Sequence, residues 1–169
     1  NSVAYAYHMD IPREDIEALC HEKYGGDRGA SMHADIARLL KGEPLAYVIG
    51  TQPFLGLTLH LDSKPLIPRP ETEWWTDELI KHIGSRSLHL LDLCAGSGAI
   101  GLAILKYCPN VEVSFTDIRK EHVSLIQKNI EKNGLDLARA HFYTGDVFTP
   151  LPHKRFDVVA TNPPYIPNT

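Results

Sequence analysis

From residue 88 the chain repeats one unit: a short run apolar at nearly every position, a turn, then a run with helical spacing. LHLLDL at 88–93 leads into helix-spaced residues at about 98–108, and VEVSFTD at 111–117 leads into a second helix at about 119–133. AHFYTGD at 140–146 and FDVVATN at 156–162 close the series. Runs apolar on consecutive positions have both faces buried, the environment of a parallel sheet covered by helices. The expected fold is therefore α/β. In the second helix Val123, Ile126 and Ile130 form one apolar stripe above a face of Lys, Gln, Asn and Glu, so this helix should cover one side of the sheet.

Upstream the pattern differs. Residues 12–24 read as a helix that Pro12 can open, with Ile16, Leu19 and Cys20 on one face and Gly25-Gly26 as its stop. A second helix, capped by Ser31, carries Ile36, Leu39 and Leu40 at the same spacing and ends at Gly42. Two such helices cannot bury their own stripes, so residues 1–43 read as a shortened helical domain. LAYVIG and FLGLTLHL then suggest a β-hairpin turning at Gly50 to Pro53, within a linker at 44–69. Pro70 suits the first position of a helix whose Glu71 and Glu73 match the positive end of its dipole, with Trp74, Trp75, Leu79 and Ile80 facing inward. The third region is 70–169.

Composition narrows the classes of function. The 43% hydrophobic content is that of a globular protein, and no apolar run approaches the length of a membrane span. The start of the chain lacks a secretion signal, so a soluble, intracellular protein is expected. Its three cysteines are widely spaced and no CxxC or HExxH pattern occurs, which predicts reduced thiols and no metal. A net charge of −4 with mixed signs gives no basic stripe for nucleic acid. A protein or small-molecule partner is favoured.

Two short stretches carry chemistry. DLCAGSGAIG at 92–101 joins the first strand to its helix, and Gly96 and Gly98 let the backbone turn sharply and approach a ligand. Asp117 ends the next strand, where a carboxylate can accept both hydroxyls of a ribose or cap the following helix, and the two roles are compatible. A dinucleotide would use such a loop, although AGSGAIG is not GxGxxG. TNPPYIP at 161–167 follows the last strand. An ordinary strand-ending loop also contains Asn-Pro, but here Pro163 and Pro164 hold Asn162 and Tyr165 in a rigid polar turn at a strand's C-terminal end.

DLCAGSG, an acidic end to the second strand, Gly145-Asp146 after the third and NPPY after the fourth together resemble a Rossmann-like, class I S-adenosylmethionine-dependent methyltransferase. NPPY resembles the members that methylate a planar nitrogen. RLLKGEPLAYVIG and FLGLTLHLDSKPLIPRPETE resemble the HemK/PrmC group, which methylates the glutamine side-chain amide in the Gly-Gly-Gln loop of peptide chain release factors. The resemblance runs from about residue 36 to residue 169. It implies a sheet ordered 3-2-1-4 and continued by further strands, S-adenosylmethionine as cofactor and a release factor as protein partner.

Carried onto this sequence, the family's cofactor loop falls on Cys94, Ala95, Gly96, Ser97 and Gly98, its ribose acid on Asp117 and its adenine-side acid on Asp146. Val147 stands where some members place an aromatic, and Cys94-Ala95 where bacterial members often have Gly-Thr. The catalytic motif falls on Asn162, Pro163, Pro164 and Tyr165, with Asn162 also bordering the cofactor. The alternatives are an adenine-specific DNA or RNA methyltransferase, disfavoured by the charge and the IPRPETE stretch, and a non-catalytic nucleotide-binding module. The resemblance also implies a fragment whose last strand is an unprotected apolar edge, able to pair with a second copy. The compartment implied is the cytoplasm, or the mitochondrion for a eukaryotic source, with no membrane partner.

Overall fold

The computed structural model describes residues 10–163, and contacts divide the chain after Thr51 into two compact units. In the first, α1 (Arg13–Tyr24) and α2 (His33–Leu40) bury Ile16, Leu19, Cys20 and Ile36 together with Met32. Pro12 sits just before α1 rather than inside it, and Gly25, in the left-handed region at φ 60°, ends the helix. Ser31 does not cap α2. Its hydroxyl pairs with His33 Nδ1, and Leu40 is exposed, because the eight-residue helix is too short to keep three apolar turns on one side.

LAYVI is a helix, not a strand. The sequence expectation of β structure there fails because Pro44 provides the residue before a first helical turn and Gly50 supplies the left-handed stop at φ 96°. This α3 (Leu45–Ile49) adds Val48 to the small core. Within the same unit, buried Asp35 accepts from Lys23 (2.7 Å), Tyr24 (2.7 Å) and Arg38 (3.2 Å). Burial alone would raise its pKa, but these partners hold it below the usual carboxylate value.

From the boundary onward runs the hairpin β1 (Thr51–Phe54) and β2 (Leu57–His60), its first strand displaced toward the C-terminus from its expected place. Its two-residue turn places Leu55 (φ 44°) and Gly56 (φ 68°) in the left-handed region, the twist that suits tight hairpins. Helix α4 (Pro70–Ile83) does start with proline, but it buries Thr72, Thr76 and Ile83. Trp75, Leu79 and Ile80 pack against the core as expected, half-buried, but Trp74 is 69% exposed and points away from it.

Four parallel strands follow: β3 (Leu88–Leu93), β4 (Val111–Asp117), β5 (Ala140–Thr144) and β6 (Val158–Thr161), ordered β5-β4-β3-β6. This is the 3-2-1-4 arrangement expected. Leu93 registers with Thr116 on one side and Thr161 on the other, and Asp117 registers with Thr144, so the loops after all four strands lie at one end. Helices α5 (Ala99–Tyr107) and α6 (Lys120–Lys132) supply Ala103, Ile104, Ile126 and Ile130 to a core with Leu90, Val113 and Phe115. Gly101 sets how closely α5 lies on the sheet: a Cβ there would stand 2.2 Å from the Phe115 ring. A second cluster holds Leu91, Leu93 and Leu151, with Tyr143 and Phe156 against it.

Candidate functional site at the strand ends

The backbone between β3 and α5 is folded tightly. Cys94, Gly96 and Gly98 have φ of 60°, 57° and 80°, so every second residue of the loop is left-handed. Gly98 must be glycine on a second count, because a Cβ would lie 2.6 Å from Leu102 Cδ1. Cys94 has no such licence, and an L-residue in this region costs roughly 1–2 kcal/mol. The strain is held by Ala95 N–H, which donates to Thr116 O (3.0 Å), and by Gly98 N–H, which donates to Ala95 O (2.7 Å).

Asp117 ends β4 and organises this loop. Its carboxylate accepts from Gly96 N–H (2.9 Å) through Oδ2 and from Arg119 N–H (2.9 Å) through Oδ1, while His122 Nδ1 lies 3.2 Å from Oδ1. The residue is 7% exposed. A carboxylate offers about four lone-pair sites, so one remains for a ligand hydroxyl. Gly145 N–H donates to Asp117 O (3.0 Å), which brings the turn bearing exposed Asp146 and Val147 to the same end. Val147 is left-handed at φ 44°, and Phe148 beside it is 56% exposed, an aromatic that the sequence reading passed over.

One turn of chain below lies Asp92, wholly buried. Its Oδ2 accepts from Gly101 N–H (2.9 Å), while Oδ1 has no partner among the described residues. Burial pushes its pKa up to about 8, the Gly101 bond opposes the shift and the Asp117 charge adds to it. Burial likewise raises the Cys94 thiol, helped by Asp117 and Asp92. Beside this loop Asp117 is the carboxylate that backbone N–H groups anchor.

Asn162 follows β6 and comes to the same end. Its Nδ2 donates to Thr72 Oγ1 at 3.2 Å, and Thr161 Oγ1 donates to Leu93 O at 2.7 Å, tying the start of the Asn-Pro turn to α4 and to β3. A cavity of about 40 Å³ is bounded by Cys94, Ala95, Gly96, Ser97, Thr72 and Asn162. The loop and the asparagine, 64 residues or more apart in sequence, therefore border one space. Pro163 is exposed; Pro164 and Tyr165 lie outside the described residues.

Two residues that matter here escaped the sequence reading. Thr72 lies in the PETE stretch that opens α4. Asn129 falls by its spacing on the polar face of its helix, yet it is 0% exposed. It accepts from His60 N–H (2.8 Å) and donates to His60 O (3.2 Å) and Ser97 O (3.0 Å), while Asn133, one turn on, pairs with both backbone groups of Thr58 at 2.9 Å. The two side chains complete the outer edge of β2 as a neighbouring strand would. Asparagines four apart, one on the helix that carries Val123, Ile126 and Ile130 and one at its C-terminal cap, are the available signal.

Comparison with known proteins adds independent findings. The profile of the family described as "Methyltransferase small domain" matches residues 74–168. The chain is 38% identical over 132 residues to a release factor glutamine methyltransferase of Geobacter sulfurreducens, covering 78% of this chain and 45% of that one. To the protein of that name from Aliivibrio fischeri it is 31% identical over 166 residues, covering 98% and 58%. The chain thus spans about half the length of the curated relatives it matches. In fold it is similar to an S-adenosylmethionine-dependent methyltransferase of Agrobacterium tumefaciens, with TM-score 0.56, 19% identity and 67% and 39% coverage. A methyltransferase of Pyrococcus furiosus gives TM-score 0.53, 22% identity and 76% and 61% coverage.

Proposed function

We propose that this chain, which belongs to the methyltransferase small domain family, is the cofactor-binding part of an S-adenosylmethionine-dependent enzyme that methylates a glutamine side-chain amide in peptide chain release factors. The observation that carries the reading is the Asn162–Thr72 contact beside the glycine loop. With Nδ2 engaged by Thr72, Asn162 keeps its Oδ1 as an acceptor in the wall of the cavity that the loop also lines. The names of the Geobacter sulfurreducens and Aliivibrio fischeri relatives support the same substrate.

The residues fit the cofactor. Asp117 has one acceptor site left for a ribose hydroxyl, and the left-handed positions of the loop at 94–98 let a ligand approach its backbone. Asp146, after β5, can serve the adenine side, with Val147 and Phe148 offering apolar surface. When bound, the cofactor supplies a methyl group on a positively charged sulfur. An amide nitrogen is a poor acceptor because its lone pair is shared with the carbonyl, so the protein's task is to orient it. Asn162 Oδ1 and the Pro163 carbonyl can accept its two N–H groups, and in the family's motif, which the sequence continues with Pro164 and Tyr165, the tyrosine ring would pack on the amide plane. One proton leaves to solvent as the C–N bond forms. Orientation of this kind is worth on the order of 7–11 kcal/mol at best, so no acidic general base is required.

An adenine amine is also a planar conjugated nitrogen, which keeps nucleic acid as the second reading. The charge of −4 and the lack of a basic stripe weigh against it. Among the described residues no helix is long and apolar enough to cross a membrane. β6 forms one edge of the described sheet with Val159 49% exposed, a surface on which a strand of a second copy could pair.

The deciding experiment offers methyl-labelled cofactor to the full-length enzyme with either a release factor or duplex DNA. Label in the release factor, lost when its Gly-Gly-Gln glutamine is changed, is the expected result; label in DNA alone would replace this reading with the second. Asn162→Ala should abolish most turnover while leaving cofactor affinity nearly unchanged.

A further inference from the structure

We propose that His89, Glu112 and His141 form a zinc(II) site across β3, β4 and β5, at the end of the strands away from the glycine loop. Each is the second residue of its strand, and in a parallel sheet this puts all three at one end. His89 registers directly with Glu112, and His141, which registers with Ser114, stands diagonal to it on the same face. Both imidazoles reach the same carboxylate oxygen: Nε2 of His89 is 2.5 Å and Nε2 of His141 is 3.1 Å from Glu112 Oε2. One donor atom from each of the three falls within 4.8 Å of the others.

The donor set suits zinc. Two imidazole nitrogens and a carboxylate oxygen make a recurrent three-ligand zinc set, at about 2.0–2.2 Å from the ion. Magnesium and calcium prefer oxygen ligands throughout, and Cu(I) prefers sulfur, so this set discriminates against all three. Ligand atoms around a tetrahedral ion at that distance are roughly 3.3 Å apart, so the close His89 contact must open and the widest separation must contract. The side chains are 45%, 51% and 39% exposed for His89, Glu112 and His141, which leaves their rings and carboxylate free to make that adjustment.

The backbones are held more firmly. His89 N–H donates to Asp157 Oδ2 (2.8 Å) and His89 O accepts from Asp157 N–H (2.9 Å), while strand spacing fixes the three Cα positions. Beside the cluster is an open space of about 310 Å³, lined by Ser87, His89, Asn110, Glu112 and Asp157. Water occupies about 30 Å³ each, so a fourth, solvent ligand has room. No local spacing announces such a site, because its ligands lie on three strands joined only by the sheet. A bound ion would cross-link the strands at the end that the glycine loop does not brace.

The test titrates the metal-free chain with zinc chloride against a chromophoric chelator near neutral pH, beside His89→Ala, His141→Ala, Glu112→Gln and the control His21→Ala. Loss of even an outer-shell partner costs about 10–100-fold in metal affinity, so each of the three ligand variants should weaken uptake of one equivalent at least ~tenfold and the control should not. Zinc, but not magnesium chloride, should raise the unfolding temperature of the wild type and not that of Glu112→Gln. Cobalt(II) should give the visible absorption of a low-coordinate site, a readout that the isosteric Glu112→Gln keeps available if an alanine variant folds poorly. Failure of the wild type to take up one equivalent, or equal uptake by the ligand variants, would overturn the site and leave a hydrogen-bonded surface triad.

Discussion

Asn162 Nδ2 donates to Thr72 Oγ1 at 3.2 Å, and Thr72 in turn gives its backbone carbonyl to the Thr76 hydroxyl at 2.6 Å. Helix α4 therefore holds the Asn162 side chain against the cavity wall, with Nδ2 turned to Thr72 and Oδ1 left as the acceptor. A free asparagine could rotate by half a turn and present its NH₂ group, which would repel the N–H groups of an acceptor amide. Thr72→Val keeps the shape of this 6%-exposed side chain and removes the acceptor. A neutral hydrogen bond contributes about 0.5–1.5 kcal/mol, so turnover on a Gly-Gly-Gln substrate should fall roughly 2- to 12-fold with little change in cofactor affinity. Thr72→Ser should recover it. Equal turnover in the valine variant would mean that Asn162 is oriented by something else.

Asn129→Ala should be among the most damaging changes to stability. It leaves Ser97 O without its partner in a buried place, and His60 N–H and His60 O without theirs in a part-buried one. At about 1 kcal/mol or more for each group, the loss is on the order of 3 kcal/mol. Asn133→Ala, at a more exposed place on the same edge, should cost less. Denaturant unfolding of both variants checks the order; a smaller effect at Asn129 would show that the hairpin can pair elsewhere.

Asp117→Ala should weaken S-adenosylmethionine binding by about 1–3 kcal/mol, because it removes the ribose acceptor and frees Gly96 N–H from the bond that shapes the loop. Asp117→Asn retains an acceptor but can turn its NH₂ toward Gly96, and should fall between the two. Calorimetric titration with the cofactor measures both, and affinity equal to the wild type would remove Asp117 from the ribose site.

The alternation after residue 88 carried the sheet and its order, because strands buried on both faces leave little else for such runs to do. The same logic misread residues 45–49. LAYVI is as apolar and branched as a strand, but its five residues are bracketed by Pro44 and a left-handed Gly50, and those local signals prevailed. Trp74 misled in another way. Its size suggested burial, whereas the smaller Thr72 and Thr76 occupy the tight helix face. In the candidate site, the turn at Gly96 and Gly98 and the strand-ending Asp117 were legible from spacing, while the bounds 94–98 rested on the family resemblance. Thr72 and Asn129 were not, since what they do depends on partners 90 and up to 69 residues away, and a polar residue reads as a surface residue until its partner is known.

Asp92 gives a prediction about pH. Its pKa rises from 3.8 to about 8 in the folded protein, chiefly because burial disfavours the charge, against the opposing Gly101 bond and with the Asp117 charge adding to the rise. Below about pH 4 the group is protonated in both the folded and unfolded chain, so it contributes no slope. Between about pH 4 and pH 8 the folded chain holds a proton that the unfolded chain has released, and stability must fall as pH rises, by up to ~1.4 kcal/mol per pH unit for one proton. Above about pH 8 both forms are ionised and the slope vanishes again. Asp92→Asn keeps an oxygen for Gly101 N–H and has nothing to titrate. Relative to this variant, the wild type should therefore lose stability steadily from pH 5 to pH 8, and the variant should be the more stable of the two at the alkaline end. Chemical denaturation of both proteins at intervals across this range gives the difference directly. Parallel profiles would mean that Asp92 is ionised in the folded state, with Oδ1 stabilised by water, and that its carboxyl is not a neutral group beside the glycine loop.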